Sequence, residues 1–249
     1  MKRLLRNAAA AMAMAAMATA SFAADWTPPG PIKLMIAFAA GGGADTQSRL
    51  IAEELEARKG WKFIPEQVTG KGGVNLLKAM KDQPNDGTAI GMLVAESLGY
   101  NLYTAKAGMT PTDFTPITTT AGAQMGIVSL ASSGWKTFND VIADAKNGKK
   151  IRVGVMSPRL GDLAYLLGKA NGVEFNIITV RGGKAVMNGV NAKDMDVGFM
   201  AGIQGKGVAA GNLVNLASAM AAPLKQTPDA PKISDLGVKY NGDAFFMFV

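Results

Sequence analysis

Three loops hold the residue types that could do chemistry in this 249-residue sequence. Gly41-Gly42-Gly43-Ala44-Asp45 follows an apolar run and precedes a helical pattern. Its glycines let the backbone turn tightly and approach a ligand closely. The helix beyond offers unpaired N–H groups and a partial positive charge. Together these make an anion site suited to carboxylate or phosphate. A plain tight turn, with Asp45 capping the helix, accounts for the same residues. Ser157-Pro158-Arg159-Leu160-Gly161-Asp162 has the same form, and Arg181-Gly182-Gly183-Lys184 follows a further strand pattern. Anion-friendly loops facing one another, one in each half of the chain, imply a cleft between two lobes. Solvated surface charge is the competing account of Arg159, Arg181 and Lys184.

Other chemistries are poorly supplied. The sequence has no histidine and no cysteine. It therefore has no imidazole base for a Ser-His-Asp triad, no thiolate, no disulfide and no Cys/His zinc site. Asp45, Glu96 and Asp162 are the acids placed near such a cleft. An exported glycosidase would need two of them about 5–9.5 Å apart, but Asp45 and Asp162 are better explained as residues at helix N-termini. No Walker Lys-Ser/Thr closes the first loop, and Gly205-x-Gly207-x-x-Ala210 lacks the acidic residue a dinucleotide site needs. Thr69-Gly70-Lys71-Gly72-Gly73 reads as a flexible surface loop. No cofactor and no metal are expected, and the chain is read as a binding protein, not an enzyme.

The net charge is +7, and removing Lys2, Arg3 and Arg6 of the first 23 residues leaves +4. These bases are scattered, so no nucleic-acid partner is expected. Met1 to Ala23 has a basic start, an Ala/Met run and Ser21-Phe22-Ala23, the three parts of a cleaved export signal. No other stretch approaches about 18 strongly apolar residues. With no cysteine to carry a lipid, the expectation is an exported, unanchored, monomeric protein in the periplasm.

The elements that must position these loops alternate. Strand patterns fall at Ile32–Phe38, Lys62–Ile64, Thr88–Val94, Gln124–Leu130, Ile151–Met156, Asn176–Val180, Asp196–Met200, Leu213–Ala217 and Ala244–Val249. Helical patterns fall at 44–58, 74–81, 138–147 and 162–171, with Leu50, Ile51 and Leu55 inward in the first. Strands alternating with helices mean an α/β fold. The expected division is 24–123 plus 219–249 for one lobe and 124–218 for the other. The apolar end Phe245–Val249 is expected to be uncovered, as in a truncated fold, unless another surface shields it.

The motifs, taken in order, resemble the extracytoplasmic solute receptors of tripartite tricarboxylate transporters, the Bug-type receptors. They are Pro31-Ile32-Lys33-Leu34 running into Phe38 to Asp45 with Arg49; Gly70-Lys71-Gly72-Gly73-Val74-Asn75; Pro84-Asn85-Asp86-Gly87-Thr88; Asp113-Phe114-Thr115-Pro116-Ile117; Arg181-Gly182-Gly183-Lys184-Ala185; Ala210-Gly211-Asn212-Leu213; and Pro228-Asp229-Ala230-Pro231. The resemblance covers about Pro31 to Val249. It implies a two-lobed, type II-like periplasmic binding protein, each lobe a Rossmann-like sheet with flanking helices. It implies a small organic acid as ligand (a di- or tricarboxylate, an aromatic acid or an amino acid) and membrane transporter subunits as partners. The family grips its ligand's carboxylate with two facing loops, which map to Phe38–Asp45 and to Ser157–Asp162. The second is usually Gly/Ser-rich, whereas here it carries Pro158, Arg159 and Asp162. Where the family often has Thr and His, this chain has Ala95-Glu96-Ser97-Leu98. A sensory protein that docks its loaded form on a membrane kinase would share all these features.

Overall fold

The computed structural model describes residues 26–249, and the export signal expected over 1–23 lies outside them. The described chain folds as two lobes, each built on one five-stranded sheet. In the first, β1 (Ile32–Ile36) is a nearly continuous apolar run, buried except at Lys33, as a central strand requires. Next come α1 (Gly43–Lys59), β2 (Phe63–Gln67), α2 (Val74–Met80), β3 (Ala89–Val94), α3 (Tyr100–Thr104) and β4 (Thr118–Gly122). β4 carries no apolar alternation: it is a Thr-rich, mostly exposed edge strand, which the sequence pattern misses. In α1 the buried residues include Ala44, Ser48 and Ala52, one turn apart. Leu50 sits about 200° around the helix from both Ser48 and Ala52. Contrary to the inward orientation expected, it is 60% exposed.

The second lobe runs β5 (Met125–Leu130), α4 (Phe138–Lys146), β6 (Arg152–Val155), α5 (Pro158–Ala170), β7 (Asn176–Thr179), α6 (Gly183–Asn191), β8 (Val197–Ala201), α7 (Gly205–Ala209) and β9 (Leu213–Ser218). The chain then returns to the first lobe as β10 (Phe245–Phe248). The strand orders are β2-β1-β3-β10-β4 and β7-β6-β8-β5-β9. β1, β2 and β3 pair in parallel, as do β6, β7 and β8. β10 is antiparallel to both neighbours, and so is β5. Each antiparallel strand is thus delivered by chain arriving from the other lobe.

This placement answers the question posed by the apolar C-terminal run. β10 is an interior strand, and Phe246, Met247, Phe248 and Val249 are buried in the first lobe's core. Only Phe245, at the start of the strand, is exposed. Core membership also divides residues 219–249, expected to fold together with the first lobe. Ala219, Ile233, Leu236 and Val238 pack in the second lobe's core, while Ala244 onward packs in the first. The turn Ile233–Leu236 supplies Ile233 and Leu236 to the second lobe's core. Among the described residues, no helix is long and apolar enough to cross a membrane.

In the second lobe Arg152 grips Asp196 in a fork, Nε to Oδ2 at 3.0 Å and Nη2 to Oδ1 at 2.9 Å. The Arg152 backbone N–H donates to the same carboxylate at 2.8 Å. Burial pushes the Asp196 carboxyl upward, but the side-chain and backbone bonds from Arg152 outweigh it and hold the group below its ordinary value. Its stabilising contribution is therefore present above the unfolded-state pKa of about 3.9. It is lost as pH falls through the depressed folded value. We expect Asp196→Asn to cost about 1–2 kcal/mol near neutral pH and much less at about pH 3. Urea unfolding at the two pH values checks this, and an equal cost at both would remove the ion pair as its source.

Candidate functional site

The carboxyl ends of strands from both sheets meet at one cavity between the lobes. From the first lobe it is lined by Phe38 and Gly42–Ala44 beyond β1, by Val94 and Glu96 at the end of β3, and by Phe246 of β10. From the second come Met156 and Leu160 beyond β6, Gly183 beyond β7, and Ala201 and Ile203 at the end of β8. Strand carboxyl ends are where open α/β sheets bind ligands. A larger apolar groove of about 650 Å³ lies on the first lobe, between Trp26, Trp61 and α1. It is bounded by Ile32, Phe63 and Ile90, at or near the amino ends of β1, β2 and β3, and no second-lobe residue reaches it. Size alone would favour the groove, but strand polarity and the meeting of two lobes favour the smaller cavity.

The cavity encloses about 40 Å³, room for water molecules only. Its wall is apolar apart from Glu96, whose side chain is 6% exposed. That carboxylate is already engaged. Arg159 Nη1 donates to its Oε2 at 3.0 Å and Asn101 Nδ2 to its Oε1 at 3.3 Å. Arg159 also donates to the carbonyls of Asp243 at 2.8 Å and Asn241 at 2.6 Å. One second-lobe side chain thus holds both the first lobe and the returning crossover. Arg159 is therefore an interlobe residue, not solvated surface charge.

The three loops divide differently from their sequence pattern. Gly41 has φ 74°, a left-handed conformation that favours glycine, and Gly42 is the residue before α1. Asp45 does not cap α1. Its carboxylate turns back to accept from Gly41 N–H at 2.8 Å, Arg49 Nε at 2.9 Å and Gln67 Nε2 at 2.7 Å. It shapes the loop from behind and does not line the cavity. α1 has no side-chain cap, and Gly43 and Ala44 of its first turn line the cavity wall.

α5 starts at Pro158, a turn before the Asp162 start expected. Ser157 precedes it and accepts from Leu160 N–H at 3.4 Å. Proline at the first helical position has no N–H to offer. This helix end is thus largely self-satisfied. Gly161 packs near Val155 and Ile177, away from the cavity. Asp162 is exposed and accepts from Tyr100 Oη across the lobes. That bond, followed by burial and the Asp162 charge, pushes the Tyr100 hydroxyl up to about 12.

The second helix N-terminus at the cavity is that of α6. Gly183 lines the wall, and Gly182 before it has φ 136°. A Cβ on Gly182 would stand 3.2 Å from Ala39 N and 3.4 Å from Phe38 Cβ. The Arg181 carbonyl accepts from Ala39 N–H at 3.1 Å. The Arg181 side chain is exposed and, with Lys71, borders an outer space of about 170 Å³. Phe38 and Met156 line this space as well as the inner cavity. Neither Lys71 nor Arg181 makes an ion pair among the described residues. Sequence reasoning missed Met156, Ile203, Val94 and Phe246, because apolar residues at or near strand ends look like ordinary core.

Removing Arg159 alone leaves Glu96 buried without its cation, so Arg159→Met should cost about 3 kcal/mol. Adding Glu96→Gln should recover most of that loss. Equilibrium unfolding of the single and double variants checks this. A single variant within experimental error of the parent would show that the pair does not hold the lobes.

Residues 47–248 match the family described as Tripartite tricarboxylate transporter family receptor. The UPF0065 protein in gbd 5'region of Cupriavidus necator is 34% identical over 187 residues, 72% of this chain and 56% of that protein. A UPF0065 protein of Agrobacterium vitis, from the TAR-I ttuE-ttuC' intergenic region, is 27% identical over 164 residues, 64% of this chain and 47% of that protein. The chain thus spans about half the length of these curated relatives. Among solved structures, MatC from Rhodopseudomonas palustris with bound malate aligns with TM-score 0.78 at 17% identity, covering 89% of this chain and 78% of that one. An R. palustris protein with adipate aligns with TM-score 0.77 at 23% identity, covering 90% and 77%. The periplasmic binding protein BugD aligns with TM-score 0.76 at 21% identity, covering 89% and 76%. These likenesses establish the fold, and the match over residues 47–248 makes this chain a member of the tripartite tricarboxylate transporter receptor family.

Proposed function

We propose that this chain is a periplasmic receptor that shuts its two lobes on a small organic acid. It then presents the loaded form to a membrane transport partner. The observation that carries this reading is the cavity itself. It lies between the lobes at opposing strand carboxyl ends, with the N-termini of α1 and α6 at its wall. Family membership supports a receptor role. The neighbours solved with malate and with adipate support an acid as the ligand class.

The reading is of binding without catalysis. Of the three acids that could have done acid-base work, Asp45 is consumed behind its loop, Asp162 is bonded to Tyr100, and Glu96 is paired with Arg159. We take the lobes as 26–123 with 239–249, and 124–238, and the receptor as a monomer. Ligand sites usually enclose about 300 Å³ or more, so the acid enters when the lobes part. It shifts them together by binding the closed form better than the open one.

Thermal melting of residues 24–249 with a panel of carboxylates tests this. An acid at about 100 times its dissociation constant should add about 2.7 kcal/mol, a midpoint rise of several degrees. A cooperative melt that no acid in the panel moves would sink the receptor reading.

A further inference from the structure

All four tyrosines of the chain are solvent-facing, and they gather where the two lobes meet. Tyr100 and Tyr103 belong to α3 of the first lobe, and Tyr165 to α5 of the second. These two helices abut, and the Tyr100 hydroxyl donates to Asp162, nearly one turn before Tyr165 on α5. Tyr240 lies on the crossover, which returns along α5. The Leu236 carbonyl there accepts from Asn171 Nδ2 at 3.0 Å, and the Asn241 carbonyl from Arg159 Nη2 at 2.6 Å. Exposure runs from 39% at Tyr100 to 84% at Tyr103. Single exposed apolar residues are ordinary, but rings gathered at one junction mark an interaction surface. Tyrosine offers a large, rigid contact area at low entropy cost and is enriched at protein interfaces.

Three of the rings have an exposed lysine beside them. Lys106 N–H donates to the Tyr103 carbonyl at 3.2 Å, Lys169 is one turn beyond Tyr165, and Lys239 precedes Tyr240. Among the described residues none of these lysines makes an ion pair. The acids nearby are engaged, Asp162 by Tyr100 and Asp243 by Ala221 N–H at 3.1 Å. The face therefore offers aromatic area edged with free positive charge.

We infer that this face docks the receptor on the membrane part of its transporter, against an acidic, water-facing segment of a membrane subunit. The inference rests on the receptor reading and names the surface its partner meets. The face has one half on each lobe, held in register by the bond from Tyr100 to Asp162 and by the grip of Arg159. Parting the lobes separates the halves, so a protein partner that needs both binds the closed form better and favours it. An anionic lipid surface could take either half alone, and so would not distinguish open from closed.

Binding of the receptor to lipid nanodiscs carrying its transporter's membrane subunits tests this, with and without the acid that most raises its melting point. The loaded parent should bind, and more tightly than the unloaded one. Tyr103→Ser with Tyr165→Ser should weaken binding by about tenfold or more. Lys106→Glu with Lys169→Glu should do the same and flatten the dependence on salt. Calorimetric affinity for the acid should be unchanged in both variants, which separates lost docking from altered closure. Ile64→Ser, an exposed site on β2 away from this face, should bind as the parent does. Parent-like binding by both double variants overturns the inference and leaves the receptor reading intact, as does a loaded parent that binds no subunit. Equal binding to empty nanodiscs containing phosphatidylglycerol would assign the face to lipid and overturn it too. A parent that is dimeric by light scattering, made monomeric by the tyrosine substitutions, would assign it to a second copy. If no acid moves the melt, the receptor reading fails first and takes the inference with it.

Discussion

Arg159 reaches from the start of α5 into the other half of the molecule, and much of the site's geometry follows from what it holds there. Its guanidinium is shared between the Glu96 carboxylate and the carbonyls of Asn241 and Asp243. A planar fork with several donors can satisfy acceptors in different directions at once, which an ammonium cannot do with the same rigidity. The pair is mostly withdrawn from water, with side chains 23% and 6% exposed. Such burial costs desolvation that only good geometry and extra hydrogen bonds offset. Here Asn101 and the two carbonyls supply those bonds. A charge at the edge of this apolar wall is tolerable with the lobes together because Arg159 and its partners satisfy it.

What the sequence made legible was local. An apolar run followed by glycines placed the loop after β1, and Arg181-Gly182 marked another strand end at the cleft. Ser157-Pro158 carried a signal that was read too late in the chain. Serine followed by proline marks an N-cap and the first helical position, and α5 begins there. The pair that matters most was not legible as a pair. Glu96 and Arg159 lie 63 residues apart, and nothing in the spacing of either reports the other. The direction of Asp45 was hidden for a similar reason, since one of its partners, Gln67, comes from a strand 22 residues on.

The mixed character of the sheets was also out of reach. Hydrophobic runs identify interior strands but not their direction. Met125–Leu130 and Phe245–Phe248 read as buried strands, which they are. That each enters the opposite sheet from its predecessor, antiparallel and one place in from the edge, is a fact of topology. β4 escaped notice because an exposed edge strand needs no apolar face, and its five polar or small residues resemble a loop.

That exchange of strands constrains how the lobes can move. The two crossovers run side by side, joined by the Ala123 N–H to the Ala244 carbonyl at 2.8 Å. Each leads directly into an interior strand, β5 or β10, clamped by neighbours on both sides. Neither strand can slide without breaking two ladders, so opening must be absorbed in the few residues between them. Hinges of this kind concentrate backbone change at element termini. Phe246 begins its clamped stretch just beyond the hinge, and a Cβ on Gly43 would stand 3.3 Å from its ring. Any rotation about the crossovers therefore bears at once on the cavity wall and on the glycine loop. Arg159, holding the carbonyls of Asn241 and Asp243 as well as the Glu96 carboxylate, ties the same hinge to the first lobe.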